Sequence, residues 1–125
     1  MQTVFKKKHM ITLATELAKK VEFNVRHGCV IFKGNRVIST GYNQIRYCNK
    51  LDKKYRKWIN SLHAEQKAII FSNDDLRRCS ILVVRLNNNN ELKNSRPCSK
   101  CLGLIKDVGI RNIYYSNNDG QIEKL

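Results

Sequence analysis

Residues 80–116 read SILVVRLNNNNELKNSRPCSKCLGLIKDVGIRNIYYS, and this stretch decides the fold class. It begins with SILVVRL, a continuous apolar run bounded by polar residues, which predicts a buried strand. It ends with NIYYS, a second strand pattern. A helix is predicted between the two strands, with Gly109 as its C-cap and with four apolar side chains facing inward: Leu102, Leu104, Ile105 and Val108. A strand, a helix and a strand in this order predict an α/β protein with a parallel pair of strands.

The part of the chain before residue 80 adds two more helices and a hairpin. Residues 6–22, KKKHMITLATELAKKVE, have the apolar spacing of an amphipathic helix. Residues 29–43, CVIFKGNRVISTGYN, predict two antiparallel strands joined by the two-residue turn Gly34-Asn35. A further helix is predicted over residues 62–71.

The boundaries in the C-terminal half follow from polar tracts. Residues 87–95, NNNNELKNS, cannot build a core and predict a loop, and Ser95 and Pro97 mark the start of the helix that follows. Residues 121–125, QIEKL, predict a short last strand. We therefore expect residues 1–125 to form a single domain around a mixed five-stranded sheet.

Composition and charge narrow the classes of function. No apolar run reaches the length of a membrane span, and no cleavage site follows the first residues, so we expect a soluble, intracellular (cytoplasmic) protein without a membrane partner. Five cysteines in such a chain favour a metal or catalytic role over disulfides. The net charge of +14 attracts phosphates of a nucleotide or a nucleic acid, unless it reflects only a solvated lysine-rich surface.

The basic charge lies mainly in the N-terminal half of the chain, and one segment there combines it with aromatic rings. Residues 46–58 carry six basic side chains and one acidic side chain, interleaved with three aromatic rings. Basic and aromatic residues together suit single-stranded nucleic acid. The alternative is that the rings pack against the protein and the lysines are solvated.

Two helix starts carry the residues that suit a metal. Cys98 and Cys101 are three residues apart on a predicted helix, which places both sulfur atoms on one face. A position in the first turn favours the thiolate form that binds metals. His63 begins another predicted helix, so the set His63, Cys98 and Cys101 would leave a tetrahedral Zn²⁺ one open position. Glu65 would then serve as the general base beside an activated water.

These motifs, in this order, resemble the cytidine and deoxycytidylate deaminase superfamily. The matching segments lie within residues 26–116: GCVIFKGNRVISTGYN at 28–43, HAEQKAI at 63–69 and PCSKCLGLIKDVGIRNIYYS at 97–116. Together they contain H-x-E…P-C-x-x-C, the known signature of zinc deaminases. The resemblance implies a three-layer α/β/α fold whose helices carry the zinc motifs, and it is compatible with a homo-oligomer.

The resemblance also implies roles for single residues. His63, Cys98 and Cys101 would bind zinc, and Glu65 would carry protons to the base and the leaving amine. The other implied positions would contact the substrate or lie near its pocket: Asn43, Ala64, Pro97 and Tyr114.

Two of the polar positions leave alternatives open. His27 stands where many relatives have a small or aliphatic residue before the strand glycine, so it either enters the pocket or sits in a loop. Asn43 either contacts the substrate or stabilises a turn with its side chain.

The function that these residues favour is hydrolytic deamination of a nucleobase. The main hypothesis is conversion of cytosine to uracil in a free (deoxy)cytidine nucleoside or nucleotide. The first alternative places the cytosine or adenine in RNA or single-stranded DNA. The second is a non-catalytic, zinc-containing module that binds nucleic acid, and Glu65 argues against it.

Overall fold

The structure, a computed structural model, describes residues 5–22, 24–44 and 63–125. The described residues form three helices: α1 (Lys8–Lys19), α2 (Ala64–Ile70) and α3 (Ser99–Asp107). They also form six strands: β1 (Arg26–Lys33), β2 (Arg36–Tyr42), β3 (Ser80–Leu86), β4 (Leu92–Lys93), β5 (Asn112–Ser116) and β6 (Ile122–Lys124). The basic and aromatic segment at residues 46–58 lies outside the described residues. Within the described ranges, no helix is long and apolar enough to cross a membrane.

All six strands join one mixed sheet, which confirms the predicted sheet type. Its main path has the order β2-β1-β3-β5-β6. β1 pairs antiparallel with both β2 and β3, while β3 and β5 are parallel, as the strand–helix–strand pattern predicts. β1 and β2 meet at Gly34, whose φ of 61° is the left-handed conformation that this tight turn requires.

A short strand corrects the prediction that residues 87–95 form only a loop. Leu92 pairs with Leu86 and Lys93 pairs with Arg85, so β4 folds back on the end of β3. The turn between them is built from asparagines: Asn90 has a φ of 61°, a conformation that asparagine tolerates. The polar tract is thus a hairpin turn with a two-residue strand behind it.

Two apolar cores lie on opposite faces of the sheet and produce the expected three layers. One core joins α1 to the sheet through Met10, Ala14, Leu17, Ala18, Val30, Phe32, Leu82, Val84 and Leu86. The other joins α2 and α3 to the sheet through residues that include Cys29, Ile31, Ala64, Ala68, Ile81, Val83, Ile105 and Ile113. Alternate residues of β1 and β3 therefore face opposite layers, as the pleat of a strand requires. This arrangement confirms the three-layer α/β/α fold.

The start of α3 differs from the prediction. The helix begins at Ser99 with Cys98 as its N-cap, which is later than the predicted start at Ser95 and Pro97. Ser95 is tied to the sheet, where its N–H donates to the carbonyl oxygen of Ser116 at 2.9 Å. Cys98 itself has φ −67° and ψ 167°, which is extended backbone. The chain therefore stays extended up to Cys98 because the sheet holds it there.

A close approach between α2 and β2 depends on Gly41. A Cβ atom at this position would overlap the carbonyl oxygen of Ala64 and lie 2.8 Å from the backbone nitrogen of Ala68. Both contacts are with helix backbone, which cannot rotate away as a side chain can. Gly41 therefore lets the helix that follows His63 pack directly on the sheet.

We expect the Gly41→Ala variant to be less stable by about 1–3 kcal/mol or more, because the added methyl group pushes α2 off the sheet. Urea denaturation measures the change. Gly103→Ala is the matched control. Gly103 lies within α3, and a methyl group there would meet no other atom within 4 Å, so this variant should be unchanged or more stable by about 0.5–1 kcal/mol. Equal stability of Gly41→Ala and the parent would show that the helix is free to shift.

Candidate active site

Two helix N-termini meet at a cluster of three potential metal ligands. His63 is the N-cap of α2, Cys98 is the N-cap of α3, and Cys101 follows in the first turn of α3. The Nδ1 atom of His63 lies 3.3 Å from Sγ of Cys101 and 3.8 Å from Sγ of Cys98. One ligand atom from each residue falls within 4.8 Å of the others. The structure therefore brings together the three residues that the sequence motifs select.

The spacing and chemistry of this cluster fit zinc. Zn–S bonds of about 2.3 Å and Zn–N bonds of about 2.0–2.1 Å place nitrogen and sulfur about 3.6 Å apart in a tetrahedron. The two observed N···S distances lie on either side of that value. One imidazole and two thiols are also ligands that zinc prefers. Cys29 and Cys79, also free and buried, belong to no such cluster in the described part of the chain.

Local hydrogen bonds set the position of His63. Its backbone N–H donates to Oε1 of Gln66 at 2.8 Å, and its carbonyl oxygen accepts from the N–H of Lys67 at 3.0 Å. The other end of the helix is held by Ser39 of β2, whose hydroxyl donates to the carbonyl oxygen of Ala68 at 2.6 Å. The imidazole thus projects from a helix start that is fixed both to its own first turn and to the sheet.

A cavity of about 430 Å³ opens beside the ligand cluster. Such a volume is within the range of small-ligand pockets. Nine residues line it: Val25, His27, Asn43, His63, Ala64, Glu65, Ser95, Arg96 and Cys98. The cavity therefore connects two of the ligand residues to Glu65 and to three of the predicted substrate-binding positions.

Glu65 is the buried acid of this cavity, with only 4% of its surface exposed. Burial raises the pKa of its carboxyl group, and this effect is opposed in part by a backbone hydrogen bond, by the charge of His63 and by Cys101. Burial also raises the pKa of the Cys101 thiol, and the nearby Glu65 charge adds to the shift. This direction is opposite to the one that a helix N-terminus favours, and burial of the sulfur is its largest cause.

The side chain of Asn43 fixes the backbone of two other residues at the cavity wall. Its Oδ1 accepts from the N–H of His27 at 2.7 Å, and its Nδ2 donates to the carbonyl oxygen of Val25 at 2.7 Å. The side chain lines the cavity, but both of its polar atoms bond to the backbone at the start of β1. These bonds resemble the turn-stabilising role that was predicted as the alternative to substrate contact. His27 lies on β1 and not in a loop, and it lines the cavity.

Two residues that were predicted to lie at the substrate site, Tyr114 and Pro97, do not line the cavity. Tyr114 packs against the rings of Phe5 and Phe32, with a centroid distance of 4.9 Å to Phe5, on the face that carries α1. It pairs with Leu82 of β3, whose side chain also faces α1, so the prediction that Tyr114 lies near the pocket is wrong. Pro97 is buried between two lining residues and does not itself line the cavity.

Ser95 and Arg96 line the cavity although neither was selected as a site residue. Both directly precede the Pro97-Cys98 motif, and this proximity is the signal that could have identified them. Ser95 is almost fully buried: its Oγ donates to the carbonyl oxygen of Val83 at 2.7 Å and accepts from the N–H of Ser116 at 2.9 Å. Ser95 therefore anchors the segment that delivers Cys98 to the ligand cluster.

The Ser95→Ala variant should be less stable by about 1–3 kcal/mol, because it leaves the buried N–H of Ser116 and the carbonyl oxygen of Val83 without this partner. Urea denaturation measures the loss. Ser99→Ala is the control, since Ser99 is an exposed helix residue. A loss no larger than that of the control would mean that the backbone bonds alone hold the segment.

A known protein-family model covers the residues of this site. Residues 5–117 match the family model described as the cytidine and deoxycytidylate deaminase zinc-binding region. The match contains all three clustered ligands and Glu65. The chain belongs to the cytidine and deoxycytidylate deaminase family. Zn²⁺ is the metal that both the family region and the donor set indicate.

A curated relative matches a shorter part of the chain than the family model does. The "Uncharacterized deaminase in luxG 3'region" of Aliivibrio fischeri is 33% identical to this chain over 91 residues, which are 70% of the chain. The chain spans about half the length of this curated relative, 55%.

Solved structures share the fold of this deaminase-family chain. The dCMP deaminase from the cyanophage S-TIM5 superposes with a TM-score of 0.66 and 18% identity, covering 90% of this chain and 82% of the phage protein. The cytidine deaminase from Mycobacterium leprae gives a TM-score of 0.58 and 16% identity, covering 96% and 93%. At these identities the likeness shows the cytidine deaminase-like fold alone.

Proposed function

We propose that this protein is a zinc-dependent hydrolytic deaminase that converts cytosine to uracil in a free cytidine or deoxycytidine nucleoside or nucleotide. The observation that carries the proposal is the position of Glu65, a buried carboxyl group that lines the same cavity as His63 and Cys98. Structural zinc sites are closed by four protein ligands, whereas catalytic sites keep one position open. Three clustered ligands among the described residues, beside an acid–base group, support catalysis.

The reaction needs a nucleophile and a proton carrier. Zinc, when bound, supplies the Lewis acid that activates water at neutral pH. Glu65 takes a proton from the attacking water and passes it to the ring nitrogen as the new C–O bond forms. It then takes the remaining proton of the added hydroxyl group and passes it to the amine, so that the C–N bond breaks, a carbonyl group forms and ammonia leaves. Burial raises the pKa of Glu65, and this direction suits a carboxyl group that must take up a proton as well as release one.

The cavity and one relative support the choice of substrate. Its volume of about 430 Å³ suits a ligand of nucleoside or nucleotide size. Ala64 and His27 both line its wall. The cyanophage dCMP deaminase that shares the fold has been solved in complex with dCMP and dUMP, a pair related by deamination.

An ammonia-release assay with zinc-loaded protein tests the function. The substrates are cytosine, cytidine, deoxycytidine, their monophosphates and short oligonucleotides that contain one cytosine or one adenine. We expect turnover of at least one free cytosine nucleoside or nucleotide, with the matching uracil product. Turnover confined to oligonucleotides would replace this proposal with the polynucleotide alternative, and no turnover of any substrate would favour the non-catalytic module.

A further inference from the structure

Basic side chains are concentrated at the end of the sheet opposite to the cavity. His27 lines the cavity near the start of β1, and Lys33 ends this strand about 20 Å away, at 3.3 Å per residue. Because β3 and β5 run antiparallel to β1, the segments that lead into them reach the same end. We call this surface the basic end. Its basic residues, among those that the structure describes, are Lys6, Lys7, Lys8, Lys33, Arg36, Arg77, Arg78, Lys106 and Arg111.

Contacts between separate chain segments show that the basic end is one surface. Nζ of Lys7 donates to Oδ1 of Asn35 in the hairpin turn at 2.8 Å, which places the start of α1 beside the end of β1. The N–H of Arg78 donates to the carbonyl oxygen of Gly109 at 2.9 Å, so the segment before β3 contacts the segment that follows α3. The helices on both faces of the sheet and the sheet itself therefore contribute to this surface.

Acidic side chains do not neutralise the basic end. The same segments contain Asp74, Asp75 and Asp107, one acid for every three basic residues. Hydrogen bonds from Arg77 lower the pKa of Asp75 to about 2, and the charge of Lys33 acts in the same direction, so the hairpin lies close to the segment before β3. A surface with this excess of one sign of charge repels itself and attracts anions.

The backbone of Arg78 has a conformation that does not suit arginine. Its φ of 65° lies in the left-handed region, which glycine and asparagine adopt at lower cost. The backbone bond to Gly109 does not require an arginine side chain. In the part of the chain that the structure describes, this exposed side chain makes no hydrogen bond or ion pair. Folding therefore gives no reason for an arginine here, and strain of this kind is typical of functional surfaces.

We propose that the basic end binds the phosphate backbone of a nucleic acid. Four of its nine basic residues are arginines, and guanidinium groups bind phosphate through paired, charge-assisted hydrogen bonds. The three layers of the fold lie about 10 Å apart, so the surface spans roughly 20 Å. A duplex presents about 12 phosphates over that length. The phosphates belong to a double or a single strand, and the chemistry of the contact is the same.

Oligonucleotide binding tests the surface without relying on turnover. Dissociation constants are measured by fluorescence anisotropy for oligothymidylate and for a duplex of about 20 base pairs, at about 50 to 200 mM NaCl. The test variant combines Arg36→Gln with Arg78→Asn. The matched control combines Lys19→Gln with Lys20→Gln, two exposed lysines at the other end of α1. Both variants lose two positive charges, so they separate a local surface from net charge.

We expect the parent to bind at least one of the two oligonucleotides with an affinity that falls steeply with salt. The test variant should bind at least about tenfold more weakly at low salt, and its slope of log affinity against log salt should be smaller by about 1.4–1.8, because two phosphate contacts are lost. The control should keep the parental slope. The oligonucleotide that shows this difference identifies whether a single strand or a duplex supplies the phosphates.

Other results overturn the proposal. They are a parent that binds neither oligonucleotide, a test variant with the parental slope, and a control that loses as much affinity as the test variant. Two further anionic probes are polyglutamate and vesicles of equal parts phosphatidylcholine and phosphatidylserine. Tighter binding of the parent to either probe than to the oligonucleotides, lost in the test variant, would assign the basic end to an acidic protein or a membrane instead.

Folding and turnover are checked separately. Asparagine tolerates the φ of residue 78, so the melting temperature of the test variant should not fall below that of the parent. If the test variant does not fold, Lys106→Gln combined with Arg111→Gln replaces it, and parental binding in that variant overturns the proposal. Turnover of a free substrate should be unchanged, because neither Arg36 nor Arg78 lines the cavity. A fall in turnover as large as the fall in binding would place the nucleic acid at the cavity and refute a separate surface.

Discussion

The Cys98→Ser variant is expected to purify with little zinc, whereas the parent protein should carry about one zinc ion per chain. A serine hydroxyl does not replace a thiolate as a zinc ligand, and His63 and Cys101 alone cannot close the site. Elemental analysis after dialysis measures the difference. Cys29→Ser is the control, because Cys29 is a free, buried cysteine outside the cluster. Full zinc retention in Cys98→Ser would contradict the ligand set.

The same variant should show that the metal also contributes to folding. Zinc would join α2 to α3, since His63 belongs to one helix start and both cysteines belong to the other. A ligand that binds only the folded state stabilises it, so a chelator should lower the melting temperature of the parent. The melting temperature of Cys98→Ser should respond to neither chelator nor added zinc. An unchanged melting temperature of the parent in chelator would argue against a bridging metal.

The Glu65→Gln variant is expected to keep its zinc and its fold while losing turnover by roughly 10²–10⁴-fold. Glutamine has nearly the same shape as glutamate, so the packing in this buried position is preserved. It cannot carry a proton between water and the base. The measurements are ammonia release with the best substrate of the parent, and zinc content.

Glu16→Gln is the control for this prediction, because Glu16 is an exposed residue of α1, the helix on the other face of the sheet. Parental turnover in Glu65→Gln would show that another group moves the proton. Loss of zinc in Glu65→Gln, with zinc retained in Glu16→Gln, would make Glu65 a metal ligand.

In the zinc-free protein, the Glu65→Gln substitution should also change how the free energy of unfolding depends on pH. Burial raises the pKa of Glu65 above its unfolded value, so between the two pKa values the folded state binds more protons than the unfolded state. The contribution of Glu65 to the free energy of unfolding therefore falls as pH rises from about 4 through the folded pKa. Urea denaturation over this range should show a steeper decline for the parent than for Glu65→Gln.

Much of the candidate site could be predicted because its parts are encoded locally. Cys98 and Cys101 are three residues apart, and His63 and Glu65 are two apart, so the chain itself limits where their side chains can lie. The hairpin turn at Gly34 and the parallel pair flanking the helix of residues 99–107 are local in the same sense. Ser95 escaped prediction because its role depends on contacts with Val83 and Ser116, which lie on other strands.

The sequence by itself determined which residues could cluster as metal ligands, the position of the acid two residues after His63, the strand–helix–strand order and the mixed sheet. Residue spacing, short-range periodicity and turn chemistry specify these features. Only the tertiary structure decided which face each strand residue occupies. Tyr114 shows the reason: adjacent strand residues point to opposite faces, so pairing with Leu82 sends its ring toward α1 and away from the cavity. The same long-range pairing set Arg85 beside His27 and buried its Nε without an acceptor. Burial and strand register arise from contacts between distant segments, so a local sequence pattern does not specify them.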